Sequence, residues 1–303
     1  DPNEKTGPKG VGDAGYVLPE QLFTYRIDFE NDPEATAPAQ QVDIRDTLSD
    51  DLDLSTFRLR EIGYGDTFIP VDVDGPYYTG RKTMTYNGVE FYVDVEVSLD
   101  LESRVLEAHF WSISKEWDVP PAVDIGFLPP EDGSGRGMGH IAYTISGNAD
   151  LASGTEIRNI ATIIFDLGEV IDTNQIDPHD PSAGTDPAKE CLNTIDGDAP
   201  TSSVTVLPTA SPTTFRVNWS GMDSHSGIGH YDVYARAAQA GWMLWQSKTT
   251  STQADYVGED GVVYEFYVVA TDAVGNVEAK APVVETSTTA SQPPPSNPTA
   301  ALV

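Results

Sequence analysis

The chain has 303 residues, 39% of them hydrophobic, and its 48 acidic against 17 basic side chains leave a formal net charge of −31. That charge repels phosphate, which excludes nonspecific nucleic-acid binding and disfavours docking on anionic lipid. No stretch reaches the roughly 18 apolar residues of a membrane-spanning helix, and the single cysteine, Cys191, excludes an internal disulfide framework.

The length fits about two domains, expected at 1–190 and 191–288, with a Pro/Ser-rich spacer at 289–303. The chain starts at Asp1 without Met, as a mature or excised segment would, and the spacer suggests that further modules follow. Residues 1–15 form a Gly/Pro-rich lead-in. LFTYRIDFEN (22–31) puts Phe23, Tyr25, Ile27 and Phe29 on one face. QVDIRDTL (41–48) follows, and 46–57 leaves room for one short helical turn. VEFYVDVEVSLD (89–100) sets Phe91, Val93, Val95, Val97 and Leu99 against a polar opposite face. Segments 104–114, 139–146 and 155–166 repeat the pattern. Dense period-two alternation broken by turn clusters predicts an antiparallel β-sandwich. The Gly-rich GSGRGMG (133–139) precedes a strand, not a helix, so it has no helix N-terminus to hold phosphate and reads as a mobile loop.

DPHDPSAGTDP (177–187) and NTIDGDAPTSS (193–203) are rich in turn residues and read as boundary and linker. Beyond them FRVNWSG (215–221), IGHYDVYAR (228–236), WMLWQ (242–246) and YEFYVVATD (264–272) predict a second sandwich. The whole is therefore expected to be all-β: two antiparallel β-sandwich domains in tandem, with a Pro-rich tail.

Two resemblances sharpen this expectation. Core Trp219, the I..YDVY strand and the Y.F.V.A.D..GN strand-and-turn resemble fibronectin type III-like or related immunoglobulin-like modules. That resemblance implies a tyrosine corner at Tyr264, whose hydroxyl ties down the preceding loop, and a spacer or binding module with no particular activity. FTYRIDFEN, VDIRDTLSDDLDLSTF and ATIIFDLGEVIDTN resemble the repeated β-sandwich domains of large bacterial surface proteins, which implies a cell-surface, matrix or adhesive role.

Catalytic signatures are missing: there is no G-x-S-x-G, H-E-x-x-H, P-loop or C-x-x-C. Cys191 reads as a small buried hydrophobe, and His225 with His230, i and i+5 in a Gly/Ser-rich loop, reads as a solvated pair better than as zinc ligands. Trp242 and Trp245 cannot share one strand face. One of them, if exposed, would offer a stacking platform for glycan.

Calcium takes six to eight oxygens, mainly carboxylate and carbonyl, and oxygen-rich clusters sit at the predicted strand ends. These are Asp1 and Asn3; Asp28, Glu30 and Asp32; Asp172 and Asn174; Asp196 and Asp198; Asp223; and Asp272 with Asn276. Each cluster is also an ordinary Asx-turn signature. The linker acids Asp196 and Asp198 are the favoured site, with Asp223 and Asp272 as possible partners at the same or the opposite pole of the sandwich.

The expectation is a non-catalytic extracellular module of a bacterial surface or matrix protein, stabilised by calcium, partnered by neighbouring modules or copies of itself. The alternatives are a self-assembling fibre or surface-layer subunit, with the lead-in or tail as donated strand, and an accessory carbohydrate-binding module of a glycan-degrading enzyme.

Overall fold

A computed structural model describes residues 3–71 and 75–292. Asp1 and residues 293–303, most of the expected spacer, lie outside them. The chain is all-β and divides into two compact units, residues 1–195 and 196–303. Among the described residues the helical segments are two short 3-10 turns, Pro181–Ala183 and Pro187–Lys189.

In the first unit alternation becomes burial. Phe23, Tyr25, Ile27 and Phe29 are fully buried, and their strand, Leu22–Glu30, pairs antiparallel with Met138–Gly147 so that Ile27 lies opposite Ile141. The five-stranded sheet runs Glu4–Thr6, Leu22–Glu30, Met138–Gly147, Leu52–Tyr64, Thr67–Pro70. The six-stranded sheet runs Val170–Asp172, Ala161–Phe165, Gln41–Thr47, Val105–Ser114, Val89–Asp100, Tyr77–Tyr86. Their inner faces share one core, in which Phe110 meets Phe29 at 5.2 Å and Tyr64 at 6.0 Å between ring centroids. Each large side chain so buried contributes about 1.5–3 kcal/mol. A third sheet joins Glu156–Asn159, Cys191–Ile195 and Tyr16–Val17, the last in parallel.

Three expectations change. The segment 46–57 has no helical turn: Gln41–Thr47 ends, a turn follows, and the strand Leu52–Tyr64 begins, because Leu48, Leu52, Phe57 and Leu59 all reach the core. The lead-in is part of the fold, since Glu4–Thr6 pairs with residues 26–28 and carries Lys5 inward. The first unit runs past the expected boundary at 190, because Cys191–Ile195 pairs with Glu156–Asn159. The glycine-rich loop is held from inside: the Glu131 carboxylate accepts the N–H groups of Gly135 at 2.8 Å and Gly137 at 2.7 Å.

The second unit has a three-stranded sheet (Thr201–Val204, Thr214–Met222, Gln253–Val257) and a five-stranded sheet (Ala210–Ser211, Thr286–Ala290, Val263–Asp272, Ile228–Ala237, Met243–Thr249). Phe215, Val217 and Trp219 are buried with Tyr231, Val233, Phe266 and Val268. The predicted linker 193–203 contains the start of a strand, because Val204 is buried and pairs with Trp219. Tyr264 accepts the Glu259 N–H at 3.0 Å, which ties the preceding loop to the strand. Trp245 packs edge-on against Trp219 and Tyr256. Trp242 is half-buried: its indole N–H donates to the Pro282 carbonyl at 3.2 Å, and Arg236 lies 4.2 Å over its ring.

Candidate cation site

Strand pairing brings three of the predicted aspartates to one end of the second unit. Thr201 pairs with Met222, so the segment entering the first strand, with Asp196, lies beside the loop that carries Asp223. Ile228 pairs with Asp272, so the other end of that loop meets the end of Val263–Asp272. A carboxylate oxygen from each of Asp196, Asp223 and Asp272 lies within 4.8 Å of the others. Asp196 and Asp272 are buried, and Asp223 is half-buried.

All three also accept backbone N–H groups. Asp272 Oδ1 accepts the N–H groups of Val274, Gly275 and Asn276 at 3.1, 2.6 and 2.8 Å. Gly275 sits at a φ of 112°, a conformation open to glycine and strained for other residues. Asp223 Oδ2 accepts from the N–H groups of His225 and Gly227 at 2.9 and 2.8 Å, and Asp196 Oδ2 from Ser226 at 3.0 Å. Asn276 braces the cluster, donating its Nδ2 to the Asp196 carbonyl at 2.9 Å and to Asp272 Oδ2 at 2.7 Å.

Turn bonds leave a remainder. Among the described residues, Asp223 Oδ1 and Ser226 Oγ are buried without a hydrogen-bond partner. Carboxylate oxygens within 4.8 Å of one another repel by about 3 kcal/mol or more per charged pair at the effective dielectric of a protein surface. His225 stands beside them, its Nδ1 3.8 Å from Asp196 Oδ1 and 3.7 Å from Asp198 Oδ2. A divalent cation supplies stronger compensation, and oxygens bound to one calcium at about 2.3–2.6 Å are at most about 5 Å apart. The donor set, oxygens of three carboxylates with an unpartnered buried oxygen among them, fits that ion.

The other predicted ligands lie elsewhere. Asp198 is exposed at the rim, near His225. Asp28 pairs with Arg26 at 2.8 Å. Asn3, Glu30 and Asp32 line one shallow cavity with His179. There Asn3 Oδ1 accepts the Glu30 N–H at 3.2 Å, and Asp32 pairs with His179 at 2.8 Å. Burial, with Glu131 and Asp32 nearby, pushes the Glu30 carboxyl up. Asp172 accepts from Thr162 Oγ1 at 2.8 Å, and Asn174 Nδ2 donates to Glu190 at 3.2 Å. Ser226 carries no motif in the sequence, and His225 pairs there with His230 alone. Their closeness in sequence to Asp223 was the available signal.

A family described as a domain of unknown function (DUF7619) matches residues 1–64. No curated protein matches the sequence. Among solved structures, the C-terminal domain of the Streptococcus pyogenes antigen I/II-family protein AspA is similar at 11% identity and a TM-score of 0.35, covering 95% of this chain and 100% of that one. The 35 kDa C-terminal fragment of the Streptococcus agalactiae major pilin GBS80 shares 10% identity at a TM-score of 0.33, over 92% of this chain and 89% of that one. The collagen-binding domain of a Staphylococcus aureus adhesin shares 14% identity at a TM-score of 0.29, over 63% of this chain and 95% of that one. Likeness this distant carries no argument about what this chain does.

Proposed function

We propose that this chain is a non-catalytic extracellular module that connects or presents neighbouring parts of a surface or matrix protein, and that its second unit binds calcium between Asp196, Asp223 and Asp272. The observation that carries the calcium reading is the convergence of three carboxylates from three separate segments around the unpartnered Asp223 Oδ1. Extracellular modules work with weak calcium sites because the ion is abundant there. A surface with a net charge of −31 gains further from divalent counter-ions.

The use made of reactive groups supports a non-catalytic role. The Cys191 thiol is buried, donates to the Lys5 carbonyl at 3.0 Å, and is pushed up by burial to about 11, the opposite of an activated nucleophile. His109 pairs with Asp43 at 2.6 Å and stacks flat on Trp111.

Calorimetry of the purified chain tests the calcium site. Added calcium raises the melting temperature of the second unit, excess EGTA reverses the rise, and magnesium at equal concentration does less. A melting curve indifferent to both calcium and EGTA sinks the reading.

A second reading, a self-assembling fibre subunit, is favoured by one feature. Tyr77–Tyr86 is a ten-residue strand at the outer edge of the six-stranded sheet, and such an edge pairs readily with another chain. Electron microscopy separates the two: filaments support assembly, and monodisperse particles at high calcium support the module.

A further inference from the structure

The interior of the first unit encloses a lysine. Lys5 sits between exposed Glu4 and Thr6, opposite Ile27, so its side chain enters the core, where it is 0% exposed. Its Nζ donates to Asp46 Oδ2 and, at 3.0 Å, to the Tyr143 hydroxyl, and lies 4.8 Å over the Tyr25 ring. Asp46 comes from the opposite sheet and is equally enclosed. Tyr143 donates to the same Asp46 oxygen at 2.7 Å, and Asn159 Nδ2 donates to the Tyr143 oxygen at 3.4 Å. An amine, a carboxyl and a carboxamide thus surround one hydroxyl. Among the described residues, Asp46 Oδ1 and Asn159 Oδ1 both lie buried without a hydrogen-bond partner.

Burial disfavours charge on Lys5 more than Asp46 favours it, so the ammonium is pulled down toward the neutral amine. If the proton passes to Asp46, the pair becomes an uncharged amine and a carboxylic acid. That acid carries the donor which Asn159 Oδ1 lacks. An amine is a poor reagent toward an amide in water, but fixed proximity is worth effective molarities of about 10⁵–10⁸ M.

We propose that Lys5 and Asn159 are a covalent cross-linking pair, with Asp46 as the catalytic proton carrier. Neutral Nζ attacks Asn159 Cγ while Asp46 donates its proton to the amide oxygen. The carboxylate then takes a proton from Nζ and delivers it to Nδ2. Collapse of the tetrahedral intermediate returns the oxygen-bound proton to Asp46 and breaks the Cγ–Nδ2 bond. One amine and one carboxamide become one secondary amide and one ammonia, with no change of oxidation state. The product ties the strand Glu4–Thr6 in one sheet to Glu156–Asn159 in another. A three-residue strand would then be held by a covalent bond as well as by its hydrogen bonds, in a unit whose one cysteine can form no disulfide with itself.

Intact-mass spectrometry of the unaltered protein tests this directly. The expected mass is lighter than the sequence by one ammonia, and a digest yields a branched peptide joining Lys5 to Asn159. Lys5→Arg, Asn159→Ala and Asp46→Asn are each expected at their unmodified sequence mass. A wild-type mass equal to the sequence overturns the proposal. Loss of one water with a branch at Asp46 overturns the assignment of Asn159, and loss of ammonia in Asp46→Asn overturns the role of Asp46. Because the decisive reading is on the wild-type chain, misfolding of a variant does not obscure it. The outcome is independent of calcium, and so of the reading proposed above.

Discussion

Asn276 and Asp196 stand 80 positions apart, yet the Asn276 side-chain amide donates to the Asp196 carbonyl at 2.9 Å. The same amide donates to Asp272 Oδ2 at 2.7 Å, so one side chain fixes the distance between two of the three clustered carboxylates. Asn276→Ala leaves the Asp196 carbonyl and the Asp272 carboxylate each without that donor. The expected cost is about 1–3 kcal/mol in the second unit, together with weaker calcium binding. Denaturant unfolding with and without calcium measures both.

Asp223→Asn removes one of three mutually repelling charges and weakens an oxygen ligand. The variant is expected to equal or exceed the wild type in stability in EGTA and to fall below it in calcium. At a hundredfold excess over Kd the ion stabilises the wild type by about 2.7 kcal/mol, or about 10–20 °C for a unit of roughly 100 residues. A variant that responds to calcium as the wild type does removes Asp223 from the site.

Acid should loosen the glycine-rich loop. The Gly135 N–H, and then those of Gly137 and Gly133, hold the Glu131 carboxyl below its ordinary value of 4.5. A carboxyl with a depressed folded pKa contributes stability that is fully present above the unfolded value and is lost as pH falls through the folded one. Stability of the first unit therefore declines below about pH 4.5 in the wild type. Glu131→Gln is expected to be less stable at neutral pH and to show a shallower acid dependence, as read from urea midpoints between neutral and acid pH.

Phe110→Ala tests the shared core of the two large sheets. The ring is fully buried and meets Phe29, Tyr64 and Phe127 at 5.2, 6.0 and 5.8 Å. Truncation should cost about 3–5 kcal/mol. The calcium-dependent transition of the second unit should stay unchanged, which differential scanning calorimetry resolves.

Much of the first core was readable from the chain. Phe91, Val93, Val95, Val97 and Leu99 alternate with polar residues and are all buried. The same register also places Asp46 in line with Val42 and Ile44, and Asn159 between Ile157 and Ala161. Alternation thus marked two polar residues as inward-facing, but nothing local indicated that Lys5, 41 positions before Asp46, would meet them. The helical turn expected at 46–57 failed for a related reason. Its cluster of acids looks like a helix start, while the burial of Leu52 and Phe57, which holds the segment extended, depends on the facing sheet.

Composition and pattern were enough for an all-β chain with an acidic surface and carboxylates at strand ends, because side-chain direction along a strand has a period of two and depends only on local order. Folding was needed to decide which strand ends coincide. Asp196, Asp223 and Asp272 each carry a turn signature that looks the same in unrelated loops. They form one cluster because Thr201 pairs with Met222 and Ile228 with Asp272, and pairings between distant strands are set by the packing of the whole core.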